Sequence, residues 1–179
     1  DTLQAGIGQS ESTFTPLQLA EYCAAIANGG TRHSASILKS VRSFDYSRQL
    51  YEGETEVLST VDSADYNWAA VQYGMYLFTH DVNSSSYNAY ATFSNYSYNG
   101  QSIGVAAKSG TAQRGEGRTN NGIFICYAPY DDPQIAVAIV VARAQAGSNL
   151  IDIAKDVLDS YFALSTDTSS ADHENTLLQ

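Results

Sequence analysis

A lysine, a serine and a threonine lie within four residues in the middle of the chain, around one glycine. The segment reads VAAKSGTAQ over residues 105–113 and contains Lys108, Ser109, Gly110 and Thr111. Three interpretations are open. The segment is a serine–lysine catalytic pair, one wall of a larger active site, or a strand that merely enters a polar loop.

Side-chain alternation argues against the catalytic pair. Neighbouring side chains on a strand point to opposite faces, whereas a nucleophile and its base must lie within hydrogen-bond reach. As a wall, the strand has useful chemistry: Lys108 supplies a positive charge for an anionic substrate, and the hydroxyls of Ser109 and Thr111 can bind a carboxylate. Gly110 would let a substrate backbone lie close to the strand. The residues therefore favour the wall.

The other candidates for chemistry are weaker. His33, His80 and His173 are not at metal-ligand spacing, and we expect all three at the surface. Asp131-Asp132 lies in a predicted turn, where aspartate commonly bonds its own backbone. Gly115 and Gly117 are not followed by a helical pattern, so they do not predict a phosphate-binding loop. The sequence predicts neither a metal site nor a cofactor.

Composition excludes some classes of partner. Of 179 residues, 44% are hydrophobic and 16% charged, as in ordinary globular proteins. The formal net charge is −10 with nine Lys and Arg, which disfavours nucleic acid and anionic membrane surfaces as partners. Cys23 and Cys126 are predicted to be buried thiols, with a single disulfide as the alternative. The chain begins without methionine, and we expect a piece of a longer protein.

Three stretches have the pattern of helices. The first begins at Thr15-Pro16-Leu17-Gln18, which offers a capping box and a proline in the first turn, and ends at Gly29-Gly30. Apolar residues at helical spacing predict further helices over residues 62–79 and 149–163. We expect residues 1–164 to belong to one domain and residues 165–179 to form a polar, disordered tail.

Strand patterns dominate the second half of the chain. Residues 103–113, 121–128 and 134–142 are predicted strands, and their short, turn-rich links favour an antiparallel meander. Residues 36–58 are predicted to form a hairpin. Residues 81–102 are predicted to be a long polar loop, with a saccharide-binding aromatic platform as the alternative. The fold class is therefore α+β, with an antiparallel sheet of about three main strands packed against helices.

Three ordered blocks carry a resemblance to a known family. GIGQSESTFTPLQLAEYCAAIANGG, KSGTAQ and NNGIFICYAPYDDPQIAVAIVVA occur in this order and are followed by a helical pattern. Together they resemble the C-terminal half of the transpeptidase domain of class B penicillin-binding proteins, over roughly residues 3–163. The resemblance implies a partial penicillin-binding-protein/β-lactamase-like fold at the extracytoplasmic face of the bacterial membrane. It also implies acyl transfer between peptidoglycan stem peptides through a nucleophilic serine. β-Lactams acylate this same serine.

The resemblance also assigns roles. Lys108-Ser109-Gly110 matches the family's Lys-Thr-Gly signature, with serine in the second position. By that match Lys108 supports the hydrogen-bond network of the site, and Ser109 and Thr111 bind the carboxylate of the stem peptide or β-lactam. The backbone N–H of Thr111 would be one of two oxyanion donors.

Two other motifs of the family have no match at the expected position in this sequence. The Ser-x-x-Lys nucleophile motif has one match, Ser36 to Lys39, which lies downstream of the first helix and is interpreted as a coincidence. Ser-x-Asn matches occur only within residues 81–102, where SSSYNAYATF also replaces a usual Gly-Thr-Ala run. We therefore expect that this chain contains no nucleophile and is inactive alone.

Two further hypotheses follow. Strand 134–142 is expected to have an unpaired edge, which favours a homodimer or swapped assembly. The alternative to a transpeptidase fragment is a β-lactam-sensing or other non-catalytic binding module that uses the same half-fold. A third interpretation is an interaction module with a degenerate site, against which the complete Lys-Ser-Gly-Thr run argues.

Overall fold

The computed structural model describes residues 13–167. The elements in chain order are α1 (Pro16–Ala27), β1 (Thr31–His33), β2 (Ser40–Arg42), β3 (Gln49–Glu52), β4 (Val57–Thr60), α2 (Asp65–His80), α3 (Tyr87–Phe93), β5 (Ser97–Tyr98), β6 (Gln101–Ser102), β7 (Ala106–Ala112), β8 (Asn121–Ala128), β9 (Ile135–Val141), a 3₁₀ helix (Gly147–Leu150) and α4 (Ile151–Asp167). No helix among these is long and apolar enough to cross a membrane.

The predicted antiparallel meander is confirmed and forms the centre of the molecule. Its strand order is β7-β8-β9, with Lys108 opposite Ile125 and Gly110 opposite Ile123. β8 lies between the other two strands and is buried along most of its length. The α+β class is therefore correct, and the sheet is the platform that carries the Lys-Ser-Gly-Thr run.

Each face of this sheet has its own apolar core. On one face, Ala107, Phe124 and Cys126 pack with residues of α4 such as Leu158. On the opposite face lies a second cluster, which joins the sheet to α1 and α2: Ala106, Ile125, Tyr127, Cys23, Ile26 and Met75. This two-sided burial explains why the sequence of β8 is apolar on both sets of alternating positions.

Both cysteines are free and buried, as predicted, so the alternative of a disulfide is wrong. Burial raises the pKa of the Cys23 thiol to about 12. Burial likewise raises the pKa of Cys126. The two thiols act as small apolar side chains in the core.

The predicted start of α1 is confirmed in detail. The Gln18 N–H donates to Thr15 Oγ1 at 3.2 Å, and the Thr15 N–H donates to Gln18 Oε1 at 2.9 Å. These two bonds satisfy donors that the first turn of a helix leaves unpaired. The second predicted helix is α2, which begins at Asp65 rather than at residue 62. Val71, one of the apolar residues at helical spacing that predict this helix, is 46% exposed.

Several predicted boundaries are wrong. Residues 36–58 contain the hairpin β2–β3, but β4 leaves it and pairs with β1. Residues 81–102 form α3 and the hairpin β5–β6 rather than a polar loop, because buried Phe93 and Tyr96 anchor them to the core. α4 extends to Asp167, and the remainder of the predicted tail lies outside the described residues, as do residues 1–12.

Candidate functional site

The candidate site is the exposed edge of β7. Within residues 13–167, β7 pairs with β8 on one side and with no strand on the other. Lys108 and Thr111 are exposed, whereas Ser109 and Gly110 are half-buried. A cationic side chain, two hydroxyls and a glycine therefore lie along an edge that a ligand can approach.

The strand separates these side chains between its two faces. Lys108 is opposite Ile125 and belongs to the face that carries α1 and α2. Ser109 is opposite Phe124 and belongs to the face that carries α4. The Lys108 ammonium does not bond the Ser109 hydroxyl but donates to the Ser109 backbone carbonyl. The structure thus places lysine and serine as alternation predicts.

This hydrogen bond also indicates the direction of the backbone groups. The Ser109 carbonyl is reached by a side chain, so it lies toward the open edge of β7 rather than wholly within the β7–β8 ladder. In a strand, the N–H and C=O of one residue point the same way, and the direction alternates from residue to residue. The N–H of Thr111, two residues on, therefore points toward the same open edge.

The structure shows a close backbone approach that sequence reasoning missed. Gly147 begins the 3₁₀ helix, and a Cβ on it would lie 2.2 Å from the carbonyl oxygen of Ile123 and 2.4 Å from that of Gly110. A Cβ on Gly122 would lie 2.7 Å from the carbonyl oxygen of Ala146. The turn-prone run Gly147-Ser148-Asn149 does not reveal this requirement, since it comes from a strand distant in sequence.

Three serines match a family motif but lie at other positions than the family's. The structure gives each of them a local role. The Ser36 hydroxyl donates to the Leu38 carbonyl at 3.2 Å in an exposed segment before β2. Ser86 caps α3, where its hydroxyl accepts from the Ala89 N–H at 3.3 Å. Ser97 lies in β5, and Asn99 in the β5–β6 turn has a φ of 49°. None of the three matches needs a catalytic explanation.

The prediction that all histidines lie at the surface is wrong for His80. His33 is exposed and His173 lies outside the described residues. His80 is half-buried, with its ring 3.8 Å from that of Tyr76 and its Nδ1 2.8 Å from Thr79 Oγ1. Burial lowers the pKa of His80, and a hydrogen bond with the Tyr76 carbonyl partly opposes this.

Thr79 connects α2 to the candidate strand. Its side chain is buried, and its hydroxyl donates to the carbonyl of Val105, the residue immediately before β7. A buried hydroxyl needs such a partner, since an unpaired one costs stability. The helix thereby fixes the position at which β7 begins.

Across residues 13–167, no three His, Cys, Asp or Glu residues group as a metal site.

Comparison with known proteins identifies a family model and relatives that are similar in sequence to this chain. The family model of the penicillin binding protein transpeptidase domain matches residues 1–159. The peptidoglycan D,D-transpeptidase MrdA of Haemophilus influenzae is 30% identical over 90% of this chain, which covers 26% of that protein. Penicillin-binding protein 2A of Bacillus subtilis is 31% identical over 97% of this chain, which covers 25% of that protein. The chain thus spans about a quarter of their length.

Solved structures share the fold. Pseudomonas aeruginosa PBP2 in complex with WCK 5153 has a TM-score of 0.67 and 31% identity over 89% of this chain and 33% of its own. The imipenem acyl-enzyme complex of penicillin-binding protein A from M. tuberculosis has a TM-score of 0.65 and 24% identity. That match covers 87% of this chain and 33% of that one. At 24% identity, the latter supports the fold alone.

Proposed function

We propose that β7 is the substrate-binding wall of a peptidoglycan D,D-transpeptidase. The chain belongs to the class B penicillin-binding protein transpeptidase family, and this membership supports the proposal. The observation that carries the proposal is the exposed β7 edge, with Lys108, Ser109, Gly110 and Thr111 in one run. In the complete enzyme this strand contacts the D-alanyl-D-alanine end of a stem peptide at the extracytoplasmic face of the cell membrane.

Each residue of the run has a role in this proposal. The hydroxyls of Ser109 and Thr111 bind the terminal carboxylate, and Lys108 contributes positive charge beside it. Gly110 allows the substrate backbone to lie along the strand. The Thr111 N–H donates to the oxyanion, and loss of one such donor typically costs about 10²–10³ in rate. Its direction toward the open edge supports this role.

The reaction also needs a nucleophile, which we assign to a serine outside this sequence. Its oxygen attacks the carbonyl carbon of the penultimate D-alanine, and the terminal D-alanine leaves after taking up a proton. The amine of a second stem peptide then attacks the ester, which forms the cross-link and releases the serine. A β-lactam follows the first step by opening its ring. Residues 1–164 contribute the C-terminal part of the transpeptidase domain.

The ligand class is supported by the sequence relatives. Penicillin-binding protein 2A of Bacillus subtilis, which is named for binding penicillin, is 31% identical over 97% of this chain. We infer that this chain contributes to the same kind of β-lactam site when the rest of the domain is present. Since the carboxylate of a penicillin mimics that of the stem peptide, Ser109 and Thr111 bind either ligand.

The test compares this chain with the full-length transpeptidase that contains it. A fluorescent penicillin should leave no denaturation-resistant adduct on the isolated chain and a stoichiometric adduct on the full-length protein, at a serine outside residues 1–179. In the full-length protein, Ser109→Ala should slow acylation about 10- to 100-fold, because a hydrogen bond to a charged group is worth about 1.5–3 kcal/mol.

Ser59→Ala is the matched control, since Ser59 is an exposed strand residue of β4. It should acylate at the wild-type rate. An adduct on the isolated chain would refute the placement of the nucleophile. An unchanged rate in Ser109→Ala would refute the role of β7.

A further inference from the structure

The segment between β9 and α4 lies directly against the strand that carries the candidate site. We call residues 143–147 the connector. At its end, Gly147 is buried, and a Cβ there would lie 2.4 Å from the oxygen and 2.7 Å from the nitrogen of Gly110. Real Cβ atoms essentially never approach closer than 3.0 Å. The contact therefore exists only because residue 147 has no side chain.

Hydrogen bonds hold the connector in place at several points. The Gln145 N–H donates to the Asn120 carbonyl at 3.0 Å. The Arg143 N–H donates to Asn121 Oδ1 at 3.1 Å. The Asn149 side-chain amide donates to the Ala144 carbonyl at 2.8 Å. Arg143 and Gln145 have φ values of 61° and 70°, a backbone conformation that is held only where its surroundings fix it.

The following residues anchor the other end of the connector. Leu150 and Ile151 are each 2% exposed and belong to the core cluster of α4 and the sheet. Because both ends of the connector are fixed, the connector cannot move away from the sheet. A group added at Gly147 must therefore push on the backbones of both β8, at Ile123, and β7, at Gly110.

The connector lies on the face of the sheet from which the two candidate hydroxyls project. A Cβ added to Gly122 would point at Ala144 and Ala146 of the connector. Gly122 is the register partner of Thr111, and paired residues of antiparallel strands place their side chains on the same face. Ser109, two residues before Thr111, shares that face.

We propose that Gly147 is a positioning residue for carboxylate binding, through its contact with the Gly110 backbone between Ser109 and Thr111. This rests on the proposed function of β7. The glycine lets the connector seat against the strand, and the seated connector sets the separation and direction of the two hydroxyls. An alanine at this position displaces the strand by about 1 Å, a misplacement that can cost about 10² in rate.

The test uses the full-length transpeptidase with a penicillin and with its methyl ester, which lacks the free carboxylate. Gly147→Ala should lower the acylation rate constant for the penicillin about 100-fold and that for the ester by a smaller factor, because the ester still uses the Thr111 N–H of the displaced strand but has no carboxylate contact to lose. The number of sites acylated at completion should stay at one per molecule. A merely structural defect would instead lower that number, or slow both compounds equally.

The matched control is Gly74→Ala, because Gly74 is an exposed residue of α2 at which a Cβ would meet no atom within 4 Å. It should leave both rate constants unchanged. A double variant, Ser109→Ala with Gly147→Ala, should lose less than the product of the two single losses, since Gly147→Ala acts in part through the Ser109 hydroxyl. Full multiplication of the two losses would overturn the proposal.

A second variant keeps the proposal testable where Gly147→Ala does not fold. Asn149→Ala removes the hydrogen bond to the Ala144 carbonyl without adding any group. It should lower the penicillin rate constant several-fold and that of the ester by a smaller factor, and equal rates with wild type would overturn the role of the connector. Failure of the wild-type protein to acylate would refute the proposed function instead, so the two failures are distinct.

Discussion

At the scale of single residues, the direction of each side chain and backbone group along β7 determines what the strand can do. Lys108 and Ser109 are neighbours in sequence but lie on opposite faces of the sheet, and the lysine ammonium bonds the serine backbone instead of its hydroxyl. A nucleophile–base pair is therefore excluded by geometry and not only by family resemblance. The same alternation turns the N–H of Thr111 toward the open edge, as the proposed oxyanion role requires.

His80 gives a testable pH dependence at this scale. Burial lowers the pKa of His80 below its ordinary value of 6.5. As pH falls through 6.5, the unfolded chain therefore takes up the proton before the folded chain does, and the free energy of unfolding decreases. We expect stability that is fully present above pH 7.5 to decline toward pH 5.5. Urea unfolding of this chain at a series of pH values measures it.

The control for this prediction is the second described histidine. His80→Gln should remove most of the slope of unfolding free energy against pH in this window, whereas His33→Gln should retain it, because His33 is exposed on β1. Equal slopes in wild type and His80→Gln would contradict the assignment.

At the scale of elements, α1 is the clearest case of a helix specified by its own sequence. The capping box of Thr15 and Gln18 satisfies two backbone N–H donors at the start of the helix. Thr15→Ala should therefore lower the free energy of unfolding by about 1 kcal/mol, and Thr15→Ser by much less, since serine is an equally good cap. Equilibrium urea unfolding provides the measurement. Thr13→Ala, at an exposed residue before the helix, should have no comparable effect, and a similar loss there would contradict the role of the cap.

The elements that the sequence predicts well are those with local signals. The cap of α1, the turn residues around β8 and the apolar runs of β8 and β9 all act within a few residues, and these elements are found where predicted. α3 escapes prediction because seven residues span only two turns, too few for a sustained helical pattern; the structure shows it capped by Ser86 and anchored by buried Ala89 and Phe93. β4 was assigned to the wrong partner because strand pairing depends on distant residues.

The same distinction applies to the candidate site. The Lys-Ser-Gly-Thr run and its strand follow from residues 105–113, and its edge position agrees with the proposed wall. Gly147 was not predicted, because its requirement arises from contact with Gly110 and Ile123, far away in the sequence. The position of His80 against Tyr76 escapes prediction for a different reason. A polar residue at a helix end looks exposed, but here the ring of Tyr76, one turn earlier in the same helix, covers it.

At the scale of the whole molecule, the three-stranded sheet ends at β9. Within the described residues, no strand pairs with the outer side of β9, and every residue of the strand is apolar. Val140 is 39% exposed near its end. An unpaired apolar edge is a template for another strand, and natural edge strands commonly carry charges such as lysine that prevent pairing. β9 contains no charged residue.

We therefore predict that two copies of this chain associate through β9. Sedimentation at high concentration should show a dimer, and Val140→Lys should raise its dissociation constant at least about 10-fold, because a charge on the edge must be desolvated on pairing. Val57→Lys is the control, since Val57 is 60% exposed on β4, outside the central sheet. It should leave the dimer intact. A monomeric wild-type chain, or equal weakening by both substitutions, would rule out β9 as the interface, and the edge would then require a cover within the full-length transpeptidase.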